Sequence, residues 1–474
     1  MSDEIISRYL SDLRSRNDEI RLQASADLRL YIARLARELP ADSFQSLTSD
    51  LNRHIFTLVN STDPYDKLAS ITLITHLTPL TATDDTTTTA NNETKLIRYT
   101  NYLRMIFQHS GLSDIDQRLL REAAHSLGQL AAVGGTTAAD MVEFEVKRAL
   151  EWLEGDRSEQ RRYCAVCVLK ELCEHTPTLF AVHVGVMLDR LWVVLRDVKL
   201  MLREAANEAM RACLRLIAKR SWKLRQTRYT LIWQEVLASV RAGSSESIHA
   251  GLLTIGELLS NTGEFMSVRY RETCEIVMRY REHKEKYVRE TVIALIPQLA
   301  AYSPPTFHSF YFRDALSYLL TSLKLSTSSR ECLFLSLGSL SLSMHDAIVP
   351  DIDIILALCK EGLTARSKKA FCAEALTCVG LVCEAVGRHP RLVSAMGEVI
   401  EQMFSAGLSR TLVDVEGEEG RGVTIEQDEE EVGVRWKLAC LSSISHIVRV
   451  LAVHRWRAPG SRRWPPLSSH RVVG

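Results

Sequence analysis

Residues Leu191–Ile217 read LWVVLRDVKLMLREAANEAMRACLRLI, and the order of side chains in this stretch decides the fold. An apolar run stops at Asp197, and Arg203 follows six positions later. Leu202, Ala206, Ala209, Cys213 and Leu216 then recur at three- and four-residue steps, which puts them on one face of a helix. Helix, acidic turn, basic residue and small-residue helix together make one helix hairpin.

The same grammar returns along the chain. GDRSEQRRYCAVCVLKEL from Gly155 again sets Asp156 and Arg162 six apart, with Ala165, Val168, Leu169 and Leu172 facing inward. SDIDQRLLREAAHSLGQLAA from Ser113 has Asp116 and Arg121 five apart, and RNDEIRLQASADLRLYI from Arg16 has Asp18 and Arg21 three apart. Two copies lack the acid: His283 precedes Arg289 in HKEKYVRETVIALIPQLAA, and Ser247 precedes His249 in SSESIHAGLLTIGELL. An Asp at such a turn can accept hydrogen bonds from the open N–H groups of the next helix and can meet an Arg of a neighbouring repeat, building a ladder. A helix pair with two apolar faces satisfies neither alone, so the pairs must stack on one another.

The fold class follows as all-α, a right-handed α-solenoid of antiparallel helix pairs. Asp116, Arg121, Asp156, Arg162, Asp197, Arg203 and Arg289 are expected to be structural turn residues.

Composition agrees. The 474 residues are 46% hydrophobic and 24% charged, with 22 Gly and 12 Pro, a mixture that supports long helices around a large core. Lys plus Arg and Asp plus Glu balance at 58 each, so no overall field draws nucleic acid or an anionic membrane, and protein partners are expected. The amino terminus is charged and amphipathic, and no stretch of about 18 consecutive apolar residues is seen. Eleven cysteines, an odd number and mostly inside apolar helical runs, suit a reducing cytoplasm.

Punctuation sets the domain boundaries. Pro297, inside TVIALIPQLAAYS, should bend its helix without ending it, whereas Ser303-Pro304-Pro305 should be a true turn. TATDDTTTTANN, residues 81–92, reads as a mobile loop. The solenoid is expected over 1–410, followed by a flexible acidic insert at 411–433, which carries EGEEG and EQDEEE. A helix at 434–453 is expected next. The Arg-, Trp- and Pro-rich residues 454–474 are expected to be unstructured and non-native, because their order is unlike the rest of the chain.

Chemistry is sparse. A protein kinase needs a Gly-rich loop, a phosphate-pairing Lys and magnesium-holding Asp and Asn residues, and none is recognisable. Gly134-Gly135 and GEEGRG from Gly417 read as loops. Cys164 and Cys167, with Cys173 and His175 close behind, resemble a metal or redox site but lack a second ligand pair at zinc-finger spacing, so they read as core thiols. RLIAKRSWKLRQTR, from Arg215 to Arg228, reads as solvated helix ends rather than a nucleic-acid patch. No catalytic residue, cofactor or metal is expected.

Several stretches resemble the amino-terminal HEAT-repeat region of the target of rapamycin (TOR) kinases, within the phosphatidylinositol-3-kinase-related kinase family. VEFEVKRALEWL from Val142 carries it most strongly, with LRSRNDEIRLQASADL from Leu13, LNRHIFTLVNSTDP from Leu51 and RYTNYLRMIF from Arg98. SIHAGLLTIGELL from Ser247, IPQLAAYSPPTF from Ile296 and MFSAGLSRTL from Met403 continue it in the same order. The resemblance covers roughly the first 410 residues, or about ten HEAT/armadillo-like repeats of some 40 residues. It implies a scaffold segment of a serine/threonine kinase whose catalytic domain lies outside this sequence. The partners it implies are a raptor-like regulatory subunit and the TOR dimer. It implies a cytoplasmic location, with attachment to vacuolar or lysosomal membranes through partners. The rival reading is an independent HEAT scaffold or transport-receptor-like adaptor.

Overall fold

The computed structural model describes residues 2–81, 89–108, 111–155, 158–325, 329–363 and 374–387. These residues form helices and connecting turns, with no strand among them. Two compact units divide at Phe265 and Met266. The expected acidic insert, the helix at 434–453 and the tail lie outside the described residues, as does Asp156.

The first unit is six helix pairs: α1 (Ser2–Leu13) with α2 (Asp18–Glu38), α3 (Ala41–Val59) with α4 (Pro64–Leu77), and α5 (Thr89–Ile106) with α6 (Asp114–Val133). Next come α7 (Ala138–Gly155) with α8 (Glu159–His175), the single turn α9 (Pro177–Phe180), α10 (Val184–Leu195) with α11 (Leu200–Ala218), and α12 (Trp222–Arg241) with α13 (Ser245–Asn261). The second helix of each pair packs on that of the next, through α2, α4, α6, α8, α11 and α13, which makes the stacked layer of a solenoid.

Small side chains build that layer. Ala165 and Leu169 in α8, and Leu202, Ala206, Ala209 and Cys213 in α11, are fully buried, so neighbouring backbones come close and each buried Leu contributes roughly 1.5–3 kcal/mol. α6 comes close to α8 at Gly128, where a Cβ would lie 2.8 Å from His175 Nδ1 and 3.1 Å from the Glu171 carbonyl oxygen.

These second helices also start in the same way. Asn17, Asp63, Ser113, Ser158 and Ser244 each accept a hydrogen bond from an open N–H of the helix that follows, a cap worth about 1 kcal/mol. In α11 the N-cap is Lys199, and Asp197 supplies the carboxylate, accepting from Lys199 N at 2.9 Å.

The second unit holds α14 (Tyr270–Arg279) with α15 (Lys286–Tyr302), the short α16 (Pro304–Phe310), α17 (Phe312–Leu325) with α18 (Arg330–Met344), and α19 (Ile352–Leu363) with α20 (Glu374–Val386). Here α15, α18 and α20 form the stacked layer. The run Arg330–Leu363 is apolar enough to suggest a membrane span, yet α18 stops at Met344, His345 turns the chain with φ +46°, and half of the apolar window is buried in the core.

Three expectations need correction. The stretch 81–92 is not a loop throughout, because α5 begins at Thr89; residues 82–88 lie outside the described set. Ser303-Pro304-Pro305 is a turn of one residue only, since both prolines fall in the first turn of α16, where the missing N–H costs nothing. Asp116 is not a turn acid: it is the third residue of α6, locked in a capping box with Ser113, its carboxylate accepting from Ser113 N at 3.0 Å.

Pro297 sits inside α15, which runs on through it. A proline there leaves the carbonyl four residues earlier, on Ile293, without its helical donor. Ser336 of α18 reaches across and donates its hydroxyl to that carbonyl at 2.6 Å.

Candidate functional site

The turn residues come together between repeats as well as within them. Four second helices carry Arg at the fourth position after the N-cap: Arg21, Arg162, Arg203 and Arg289. Three of them donate Nη1 to the carbonyl six residues earlier, in the preceding turn: Arg21 to Ser15 at 2.6 Å, Arg203 to Asp197 at 3.0 Å, and Arg289 to His283 at 2.7 Å. The six-residue spacing therefore marks a guanidinium closing its own turn through the backbone. Only 1% of the Arg203 surface is exposed.

The Asp197 carboxylate points elsewhere. It pairs with Arg162 of the preceding repeat, so one aspartate caps α11 with one oxygen and ties α8 to the next turn with the other. Arg14, in the first turn, makes the mirror-image contact by reaching forward to Asp66 in α4, which also accepts from Ser61 at 2.8 Å. Arg121 pairs with neither Asp116 nor a turn; its Nε donates to the Tyr163 hydroxyl at 2.6 Å. In α13, whose turn lacks an acid, His249 is buried. Desolvation and the neighbouring Arg203 hold it neutral and push its pKa down to about 3.

Further charges join adjacent helices. Glu145 of α7, fully buried, accepts from Arg104 Nε at 2.7 Å and also meets Arg148, whose guanidinium lies over the rings of Phe107 and Trp152. Glu257 of α13 takes Arg211 at 2.7 and 2.9 Å and Asn207 at 3.0 Å.

Sequence reading missed one constellation. His125 of α6 and Glu171 and His175 of α8 converge, with His125 Nδ1 2.9 Å and His175 Nδ1 3.4 Å from Glu171 Oε2. Its sequence signal was Glu171-x-x-x-His175, one helical turn apart, while His125 stands 46 positions before Glu171. The Glu171 hydrogen bond raises the pKa of His125. Burial alone would raise that of Glu171, but hydrogen bonds from His125 and Lys170 outweigh it and hold it below the usual carboxylate range.

The cysteines take no part. Cys164 and Cys167 are buried, and desolvation pushes the Cys167 thiol up to about 12, far from a reactive thiolate. The basic run closes carbonyl ends: Arg220 donates to Pro177 O at 3.3 Å and Arg225 to Ala218 O at 3.4 Å. Gly134 caps α6, and Gly135, at φ +53°, turns the chain toward α7.

The outward helices of the first unit carry a different feature. Phe56 on α3, Ile97 and Met105 on α5, Phe144 on α7, Val193 on α10 and Trp222 on α12 are all exposed. Apolar side chains repeated on successive first helices have no role in the core.

Comparison with known proteins places this architecture. No family model matches the chain. It is 33% identical over 403 residues to the serine/threonine-protein kinase tor1 of Schizosaccharomyces pombe, covering 85% of this chain and 17% of that protein. To the serine/threonine-protein kinase TOR of Arabidopsis thaliana it is 34% identical over 414 residues, covering 87% and 16%. The chain is homologous to the TOR serine/threonine kinases.

The TOR-like chain spans about a sixth of the length of these relatives. TOR2 of Saccharomyces cerevisiae matches similarly, at 30% identity over 391 residues, 79% of this chain and 15% of that protein. Among solved structures, two of importin beta share the fold at 13% and 12% identity, with TM-scores of 0.56 and 0.53, covering 96% and 94% of this chain and 54% and 52% of theirs. The TOR-like segment is thus an all-α helical-repeat solenoid of the HEAT type.

Proposed function

We propose that this TOR-like solenoid serves as a protein-binding scaffold that helps assemble a TOR kinase complex, docking a raptor-like regulatory subunit and contributing to the TOR dimer. The observation that carries the reading is that successive outer helices of the first unit each expose a large apolar side chain, Phe56, Ile97, Phe144, Val193 and Trp222. Large apolar side chains exposed repeatedly along a solenoid mark surfaces that partners cover. The sequence similarity to the TOR kinases supports the choice of complex, and the serine/threonine kinase activity is that of the whole relatives. Its place is the cytoplasm, with attachment to vacuolar or lysosomal membranes through the partners.

The mechanism is geometric. Stacked helices tied by ion pairs between repeats fix the spacing of these exposed side chains, so a partner gripping several repeats at once is oriented as a body.

The test is binding of the purified chain to a purified raptor-like subunit, with Phe144→Glu and Trp222→Glu as probes. Both residues are exposed, so folding should survive. The scaffold reading expects saturable binding, weakened at least about tenfold by either charge, since burying an unpaired carboxylate costs more than 1.4 kcal/mol. No binding by the folded chain, or binding indifferent to both substitutions, would refute this assignment of the surface.

A further inference from the structure

The turn ladder uses charges in pairs, but His125, Glu171 and His175 gather as three. Their donor atoms all lie within 4.8 Å of one another, and they form the one such group of metal-ligating type found among the described residues. We propose that they form a binding site for a single divalent transition-metal ion of the zinc class, held between α6 and α8.

The geometry fits first. A tetrahedral ion with bonds of about 2.0–2.2 Å spaces its ligands by roughly 3.4 Å. The two edges around Glu171 Oε2 are 2.9 Å to His125 Nδ1 and 3.4 Å to His175 Nδ1. Two imidazoles and one carboxylate are also the donor set that a borderline cation prefers over calcium or magnesium, which take oxygen ligands.

The surroundings support the ligands. Lys170 Nζ holds the other carboxylate oxygen, Oε1, at 2.7 Å, leaving Oε2 directed at the imidazoles, and Glu174 shares that lysine at 3.4 Å. Gln129 Nε2 lies 2.9 Å from His125 Nε2. With a metal on Nδ1 the imidazole proton moves to Nε2, and a turn of the Gln129 amide offers its oxygen to accept it, the usual outer contact of a ligating histidine. His175 Nδ1 would exchange its 3.0 Å contact with the Glu171 carbonyl for the ion.

Access and spacing complete the site. Glu171 is 8% exposed, His175 23% and His125 42%, so the carboxylate is anchored while the imidazoles border solvent and leave room for a water as fourth ligand. Gly128 makes the site possible, since any side chain there would collide with the His175 ring.

The decisive experiment is titration of the full chain with cobalt(II), followed by visible d–d absorption and by displacement with zinc. The site predicts one equivalent bound with nitrogen and oxygen ligation and no thiolate charge-transfer band. His125→Ala, a change at a partly exposed residue, and His175→Gln should each weaken binding at least as much as the 10–100-fold loss known for outer-contact changes, with helical circular dichroism unchanged. Gly128→Ala should weaken it too, by displacing the His175 ring while all three ligand residues are retained. Absence of cobalt binding, a thiolate band from the cysteines, or affinity unaltered by His125→Ala would overturn the proposal.

Discussion

The repeats of the two units are built on one plan but joined differently. In the first unit, helices that are neighbours in space but distant in sequence are tied by charge: Arg14 with Asp66, Arg104 with Glu145, Arg162 with Asp197, and Arg211 with Glu257. In the second, neutral donors do this work. Ser336 serves the Ile293 carbonyl, Tyr270 the Leu299 carbonyl at 2.6 Å and Tyr318 the Arg281 carbonyl at 2.6 Å, and the Arg313–Asp351 pair lies near the surface. Close apolar approach does the rest, with Gly338 of α18 so near α20 that a Cβ would stand 3.0 Å from the Cys378 Cα. Buried ion pairs bring little net stability but penalise mismatch heavily, whereas apolar layers tolerate sliding unless interlocked by shape. The first unit thus has its register specified by charge, and the second by fit.

Breaking one partner of a buried charge cluster should have the largest effect. Glu145→Ala strands Arg104 and Arg148 together, and it should cost about 3–5 kcal/mol in urea unfolding of the first unit. A loss below about 1 kcal/mol would remove the contrast between the units.

The second unit should answer to substitutions that charge does not touch. Ser336→Ala leaves the Ile293 carbonyl buried with no donor and should cost about 1–3 kcal/mol. In a Pro297→Ala background, where the backbone regains its N–H, the same change should cost markedly less; equal costs would show that the hydroxyl is not compensating for the proline. Gly338→Ala should cost about 1–3 kcal/mol by forcing α18 from α20.

A further effect, read per pH unit, belongs to the first unit. His249, in the first unit, is held neutral with a folded pKa of about 3, below the ordinary value of 6.5. The unfolded chain therefore binds a proton that the folded one refuses. Its contribution is full above about pH 6.5 and fades as pH falls toward 3, by at most about 1.4 kcal/mol per unit. His249→Asn should flatten that part of the acid-unfolding profile, and an unchanged slope would mean that the ring is solvated.

The legibility of the sequence follows the same division. Helical period and small-residue faces were readable because they are local: each residue named for the inner faces of α8 and α11 is buried. The six-residue spacing was readable too, as was the expectation that a turn acid would meet an Arg of a neighbouring repeat, but not which Arg. Spacing identifies neighbours within a turn, and the Asp197 carboxylate finds Arg162, 35 positions back, a distance set by repeat length and stacking. His125 escaped notice for the same reason, since only the packing of α6 on α8 brings it to Glu171. Pro297 announced an orphaned carbonyl, but nothing in α15 could say that a serine 43 residues from Ile293 would satisfy it.

The acid of a repeat turn acts between repeats. A double-mutant cycle on Arg162→Ala and Asp197→Ala tests it most directly, read by chemical unfolding and set beside the same cycle on Arg203→Ala and Asp197→Ala. Arg203 uses the Asp197 carbonyl, which side-chain truncation leaves in place. The expected coupling is about 1–3 kcal/mol for Arg162 with Asp197 and well under half of that for Arg203 with Asp197. The reverse order would contradict it, returning the pair to a device of the single turn.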